Sequence, residues 1–506
     1  MPQRRIGVCL SYLNVIFKNL STLLYTPFVI RELGQLEYGL YQMSTSIMTT
    51  LFILHLGFST AYIKFYSEYK KNNNNQRIAE LNGIYLTLFG TLGAISVVIG
   101  LLFINSLPLI FNKFTYEELF ITKRLMFFLI ANVSLTFPSV VFDCYIIAKE
   151  EFKFQKSREV LLTLVVPLAT VPLLLLGYKS VAVVATQVII TGIFLLINIR
   201  YACTKLQMKF SLQGIHCSRI MPIFVFSTFI FINQLVDIIN WNLPNIVLGM
   251  YAGTKDVSIY GVANQIKNVF ISISTAISGI YVPLVYQIGF NDPKNSQLSL
   301  LMTRIGRYQF LIIGYIFGGF IVFGKYFINI WVGKNYQSAY FLGILLVIPL
   351  LIPLIQNIGM EVIRLKNKHK IVSYLYLFFA MINIVFTIFF TQKFGLIGSV
   401  LGTFITMLLA NGVIINIFYY KIIGLDIKNF WMSIMKTSYS LIIATIAMMF
   451  VNYFFPIKHF LIFIIYGLIY SSIFMLATYQ YSLSIIEKQK LNIFIKKIYH
   501  KTRGAS

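Results

Sequence analysis

Stretches of about 20 apolar residues recur from one end of this chain to the other, and no other feature restricts its fold so severely. A helix of that length rises about 30 Å, the thickness of the hydrocarbon core of a bilayer. Inside that core only helices and closed barrels satisfy every backbone N–H and C=O. The alternating segments of about 10 residues that build a barrel are missing, so the expected fold is an all-α polytopic membrane protein. Composition agrees: 58% of the 506 residues are hydrophobic and only 11% charged, with mean hydropathy +0.78. Soluble domains are roughly a quarter charged.

Fourteen spans are read at approximately 7–30, 39–62, 83–105, 119–147, 157–177, 180–201, 221–249, 258–288, 305–331, 338–363, 371–391, 396–420, 430–454 and 458–484. The net charge of +26 invites a nucleic-acid reading, but the Lys and Arg residues lie in short links between spans. With a cytoplasmic N-terminus, the inward-facing segments hold about 29 of them and the outward loops about 10, which places both termini in the cytoplasm. A multi-pass protein of a bacterial plasma membrane is expected, with the bilayer and not nucleic acid as its partner. The basic start "MPQRRIGVCLSY" lacks a small-residue cleavage site before the apolar run and reads as a retained first span. "YKKNNNNQR" reads as a solvated loop, and residues 485–506 as a basic cytoplasmic tail at an anionic lipid surface. Cys9, Cys144, Cys203 and Cys217 show no paired spacing, so neither a disulfide framework nor a metal site is indicated.

The chain also resembles itself. "YGLYQMSTSI" from Tyr38 matches "YGVANQIKNV" from Tyr260, and Gly57 matches Gly279. "GYKSVAVVATQVIITGIFLLINIRY" from Gly177 matches "GLIGSVLGTFITMLLANGVIINIFY" from Gly395, pairing Asn198 with Asn416 and Tyr201 with Tyr419. Asp143 and Glu361 fall at the same offset of 218 residues. Six spans are thus duplicated by the next six, and an even number keeps both copies in one orientation, related by a pseudo-two-fold along the membrane normal. The expected division is a six-helix bundle at 1–202, a cytoplasmic linker at 203–220, a second bundle at 221–420, and two further spans at 421–484. In transporters built this way the substrate path lies near the midplane and rocking gives alternating access.

Beyond the Lys and Arg assigned to the inward and outward segments and the span ends they adjoin, three basic residues are left inside spans: Lys18, Lys267 and Lys436. Lys18 is the most demanding, because a charge at the centre of a lone helix costs at least about 2.5 to 3.5 kcal/mol. Ser11, Asn14, Lys18, Ser21, Thr22 and Tyr25 share one face of the first span, which is expected to turn inward. Asn233, Asp237 and Asn240 share a face of the seventh, and Asn264, Lys267, Ser274 and Ser278 a face of the eighth. Pairing Gly34 with Gly253 sets Lys18 against Asp237, 219 residues on. Either those two form a buried ion pair that holds the bundles together, or Lys18 and Lys267, with Asn14, Asn240 and Asn264, form a cationic cavity suited to an anion. His55 is open to two readings, a proton-linked switch or a hydrogen-bonded buried histidine. Asp143 and Glu361 read as ion-pair partners of Lys149 and Lys366, or as parts of a cytoplasmic gate. Lys436 lies close enough to a span end to snorkel.

The link "RELGQLEYGLYQMSTSI", "SIYGVANQI" opening the eighth span and "GLIGSVLGT" opening the twelfth resemble polysaccharide flippases of the Wzx type, in the multidrug, oligosaccharidyl-lipid and polysaccharide exporter superfamily. That resemblance implies translocation of an undecaprenyl diphosphate-linked oligosaccharide from the cytoplasmic to the outer leaflet, for O-antigen or capsule synthesis. It also implies basic residues of the first and eighth spans in the central cavity, positions that Lys18 and Lys267 match. A polysaccharide polymerase or chain-length machinery would be the protein partner, and no cofactor is implied. Drive would come from the membrane potential, protons or sodium, with Asp237 the coupling candidate. The competing readings are a cation-coupled multidrug exporter of the same superfamily and the flippase of the peptidoglycan precursor. An enzyme is disfavoured, because glycan chemistry needs catalytic carboxylates beside a sizeable loop and the loops here are short.

Overall fold

A computed structural model of the chain describes residues 2–55, 57–213, 217–289, 292, 295–483 and 487–489. The basic tail lies almost wholly outside them, as do the side chains of Cys9 and Cys217. The described residues are helical with no strand: α1 Pro2–Leu51, α2 Phe58–Lys71, α3 Asn75–Ile110, α4 Tyr116–Ala148, α5 Phe152–Leu175, α6 Lys179–Arg200, α7 Cys217–Trp241, α8 Leu243–Tyr251, α9 Thr254–Gly289, α10 Ser296–Trp331, α11 Ser338–Ile355, α12 Asn357–Leu365, α13 His369–Met407, α14 Ile415–Phe418, α15 Ile427–Phe454 and α16 Phe460–Ala477. Among these residues eleven stretches are long and apolar enough to cross a membrane, twelve with the bent pair Ile220–Thr228 and Ile230–Tyr251. Two of them, Leu13–Lys71 and His369–Ile423, have 59 and 55 residues, each more than twice the length of one crossing. Each is broken at a glycine of non-helical conformation, Gly34 (φ 73°) and Gly395 (φ 54°).

Several expected boundaries are corrected by local chemistry. The link after the first span is not a loop, since helix resumes immediately after Gly34. The second span is not continuous to residue 62: a 3-10 turn at Phe52–His55 and left-handed Gly57 interrupt it before α2. The tenth span breaks after Pro353, where α11 ends and α12 begins beyond Gln356. The asparagine loop shrinks to a three-residue turn, because α2 runs to Lys71 and Asn74 caps α3 by accepting from the Arg77 N–H.

Packing defines two compact units, residues 1–266 with 370–410, and residues 267–369 with 411–506. In the first, α7 packs on α13 through Val236, Ile239 and Ala380. The two YG motifs of the repeat meet in this unit. A Cβ on Gly39 would fall 1.9 Å from the Thr254 carbonyl oxygen, and one on Gly261 would fall 2.9 Å from Gln42 Cγ. Around that crossing the Gln265 amide donates to Tyr38 Oη at 2.7 Å and Thr26 donates to Gln265 Oε1 at 2.7 Å. Asn245 donates to Ser46, Thr254 to Glu118, and the Lys113 ammonium to the Tyr251 carbonyl. In the second unit α15 and α16 pack on α10 through Val322, Phe323, Ala444, Met448, Tyr470 and Phe474. Gly306, Gly314 and Gly318 give α10 a thin face there.

Candidate functional site

The polar side chains that the apolar helices carry fall into distinct groups. In the first unit, Asn14 of α1 turns toward α5, where it donates to Glu159 and accepts from Thr163 at 3.0 Å. Lys18, one turn on, is exposed and makes no ion pair or side-chain hydrogen bond among the described residues. The alternative of a Lys18–Asp237 ion pair is therefore not formed. Repeat equivalence gives two residues the same depth in their spans, which does not bring their side chains into contact. Asp237 is exposed on α7 and interacts with other groups.

Asn240, one turn beyond Asp237, belongs to a knot that sequence reasoning did not assemble. The Asn383 amide of α13 donates to Asn240 Oδ1 at 2.7 Å and to Thr403 Oγ1 at 3.2 Å, and Thr387 donates back to Asn383 Oδ1 at 2.9 Å. Asn383 and Thr387 are fully buried. Their spacing of four on one helix was the available signal.

Lys267, in the second unit, is 1% exposed, on a helix otherwise apolar enough to span. It is not isolated, having an interacting neighbour. On the same helix Ser274 donates to the Leu354 carbonyl at the break between α11 and α12, and accepts from Gln309 and Asn357. Asn264, in the first unit, is partly buried, and its Oδ1 accepts no hydrogen bond among the described residues.

His55 is half-buried between the rings of Phe52 and Phe89, and its Nε2 lies 2.6 Å from Ser59 Oγ. Asp143 pairs with Arg158, not Lys149, and Asn198 donates to the same carboxylate at 3.1 Å. Lys149 instead lies over the ring of Tyr145. Asp143 and Arg158 are equidistant from the turn at Glu150 and Glu151, so an antiparallel hairpin puts them side by side. Glu361 likewise pairs with Arg364, three residues on, and not with Lys366. Lys436 is exposed on α15.

Asp143, Arg158 and Asn198 also line a cavity of about 610 Å³ inside the first unit, walled by α1, α4, α5 and α6. The buried acids of this unit that sequence reasoning passed over include Glu37 and Glu118. Glu37 accepts from the Ser180 N–H and hydroxyl and lies 3.6 Å from the Lys179 ammonium. Glu118 closes a capping box with Thr115, a signature readable as T-x-x-E.

These helices define a multi-pass membrane protein. The family described as "Polysaccharide biosynthesis protein" matches residues 7–288, more than half the chain, and the chain belongs to that family. Among solved structures it is similar to the lipid II flippase MurJ in an inward closed conformation, at 14% identity and TM-score 0.66, covering 93% of this chain and 97% of that one. It is also similar to the MATE multidrug transporter DinF-BH, solved in complex with a bound compound, at 16% identity and TM-score 0.59, covering 85% and 96%. A point variant of VcmN, a Vibrio cholerae MATE transporter, aligns at 12% identity and TM-score 0.55 over 83% and 99%. These likenesses show the fold alone. No curated protein matches by sequence.

Proposed function

We propose that this protein is a flippase, not an enzyme, that moves an undecaprenyl diphosphate-linked oligosaccharide from the cytoplasmic to the outer leaflet of a bacterial plasma membrane by alternating access. The observation that carries the reading is membership of the polysaccharide biosynthesis family over residues 7–288. The shared fold with a lipid II flippase supports it. In this reading both termini are cytoplasmic, and the exported glycan feeds a polymerase or chain-length machinery outside. No cofactor takes part.

The cargo's charged part is a diphosphate. Lys18, exposed in the first unit and without an ion pair among the described residues, and Lys267, buried in the second, are the proposed cations that meet it, each as a point charge and not as a bidentate fork. Asn14, Asn240 and Asn264 are proposed to supply neutral hydrogen bonds. Asp237 is the proposed coupling group for a proton or sodium ion, while Asp143 and Glu361, each paired with an arginine, are proposed gate elements.

The test is the leaflet distribution of undecaprenyl-linked oligosaccharide in cells depleted of the protein. Accumulation on the cytoplasmic leaflet, with surface polysaccharide lost, is expected. Lys18→Gln and Lys267→Gln, at normal protein levels, should each lower export about tenfold, the effect of losing one charge-assisted contact. An unchanged distribution in depleted cells, with new drug sensitivity, would move the multidrug-exporter reading ahead.

A further inference from the structure

The cavity of about 610 Å³ in the first unit has a chemistry of its own. Its volume lies within the range of small-molecule sites. The charged groups on its wall are Asp143 and Arg158, and they neutralise one another. An anion needs uncompensated cations, and a lipophilic cation needs uncompensated acid or an aromatic cage. Neither is offered here.

What the wall does offer is neutral hydrogen bonding. Gln187 of α6 lines the cavity, and its carboxamide makes no hydrogen bond among the described residues. The Asn132 amide donates to Thr191 at 2.9 Å and leaves its carbonyl oxygen unused. Phe52 and Phe194 add apolar ring surface to the same wall. Amide donors and acceptors beside ring faces, with no net charge, complement a molecule that carries hydroxyls around an apolar ring.

We infer that this cavity is a binding site for a neutral saccharide unit, the sugar part of the translocated glycan, separate from the lysines proposed to hold its diphosphate. The inference rests on the flippase reading for the identity of the ligand. It does not rest on it for the chemistry of the site.

The experiment uses the full chain in nanodiscs, with Cys9, Cys144, Cys203 and Cys217 replaced by serine and Thr191→Cys introduced as a reporter on the cavity wall. The probe is the lipid-linked oligosaccharide pool extracted from cells of the source strain. Half is used intact, and half is cleaved by mild acid to release the free oligosaccharide from the diphosphate. At ten times its Kd, the released oligosaccharide should slow thiol modification at position 191 about tenfold, the fraction of sites left open. Undecaprenyl diphosphate without sugar should not slow it. In the same background Gln187→Leu should abolish protection without changing the unliganded labelling rate, which certifies that the variant is folded.

Protection by undecaprenyl diphosphate alone would make this an anion or lipid site and overturn the inference, as would no protection by either sugar-bearing probe. Translocation by the wild-type protein, measured separately in vesicles, keeps the two proposals distinct. Protection without translocation would sink the flippase reading and leave the saccharide site. Translocation without protection would do the reverse.

Discussion

At the scale of single residues, the Asp143–Arg158 pair shows what a charge inside this fold requires. Asp143 and Arg158 side chains are 26% and 11% exposed, so each is partly withdrawn from water and neither is cheap to leave alone. Asn198 completes the arrangement by contacting both. Replacing Asp143 with Asn would strand the Arg158 guanidinium beside the cavity. We expect a loss of about 2 kcal/mol, reduced from the figure for a fully buried pair because both side chains retain some exposure. Thermal unfolding in nanodiscs of Asp143→Asn, Arg158→Gln and the double variant measures it. The double variant should be less destabilised than the sum of the singles, and strict additivity would show that the two charges do not interact. Asp143 was legible in the sequence as a charged residue needing a partner, but nearness along the chain pointed to Lys149. The partner is set by the hairpin between α4 and α5, and symmetry about its turn was the signal to read. Lys18 and Lys267 stood out for a different reason, since a lysine in an apolar run is conspicuous whatever it contacts. The cavity-lining amides were not legible, because one Asn or Gln in a helix says nothing until three other helices are placed around it.

At the scale of elements, the helices were legible and their breaks were not. Apolar length is additive along the sequence, so α3, α10 and α15 follow directly from composition. A break depends on one residue taking an unusual conformation, and nothing in composition distinguishes Gly34 or Gly395 from glycines that stay helical. The repeat carried that information. Its matched pairs Gly34 with Gly253 and Gly177 with Gly395 all have positive φ. Its matched Tyr201 and Tyr419 each open a π-helical turn, and Asn198 and Asn416 are both buried. The YG motif acquires its meaning from packing, because Gly39 lets its helix touch the backbone of α9 at Thr254. Gly39→Leu would need its Cβ where a carbonyl oxygen stands, and backbone cannot move aside as a flexible side chain does. We expect the substitution to force α1 and α9 apart and to weaken the Gln265–Tyr38 hydrogen bond. Disulfide trapping between Tyr38→Cys and Gln265→Cys reads the separation, and crosslinking that proceeds as fast with Gly39→Leu as without it would show that the crossing tolerates a side chain. Gly90, which has open space around it, supplies the control: Gly90→Leu should leave crosslinking unchanged.

At the scale of the whole molecule, the proposed transport step is electrogenic, and its energetics make a claim that a single residue cannot. A diphosphate that leaves a negative interior moves down the electrical gradient, a gain of about 2.3 kcal/mol per charge for each 100 mV. A lysine that accompanies the cargo through the field would cancel part of that gain, so the net charge moved depends on whether Lys18 and Lys267 stay fixed while the diphosphate passes. Fixed lysines predict a strong dependence on potential, and lysines that travel with the cargo predict a weak one. Proteoliposomes with a potassium diffusion potential set by valinomycin separate these cases. With the compartment that holds the cargo made negative, translocation of the lipid-linked oligosaccharide should rise with potential at constant pH and without sodium. Reversing the polarity should suppress it. If instead a sodium or proton gradient at zero potential drives transport fully, and Asp237→Asn abolishes that drive, the work is done by a coupled cation at α7 and the potential is incidental. The two outcomes assign the driving force to different parts of the chain, the lysines in the first case and the carboxylate in the second.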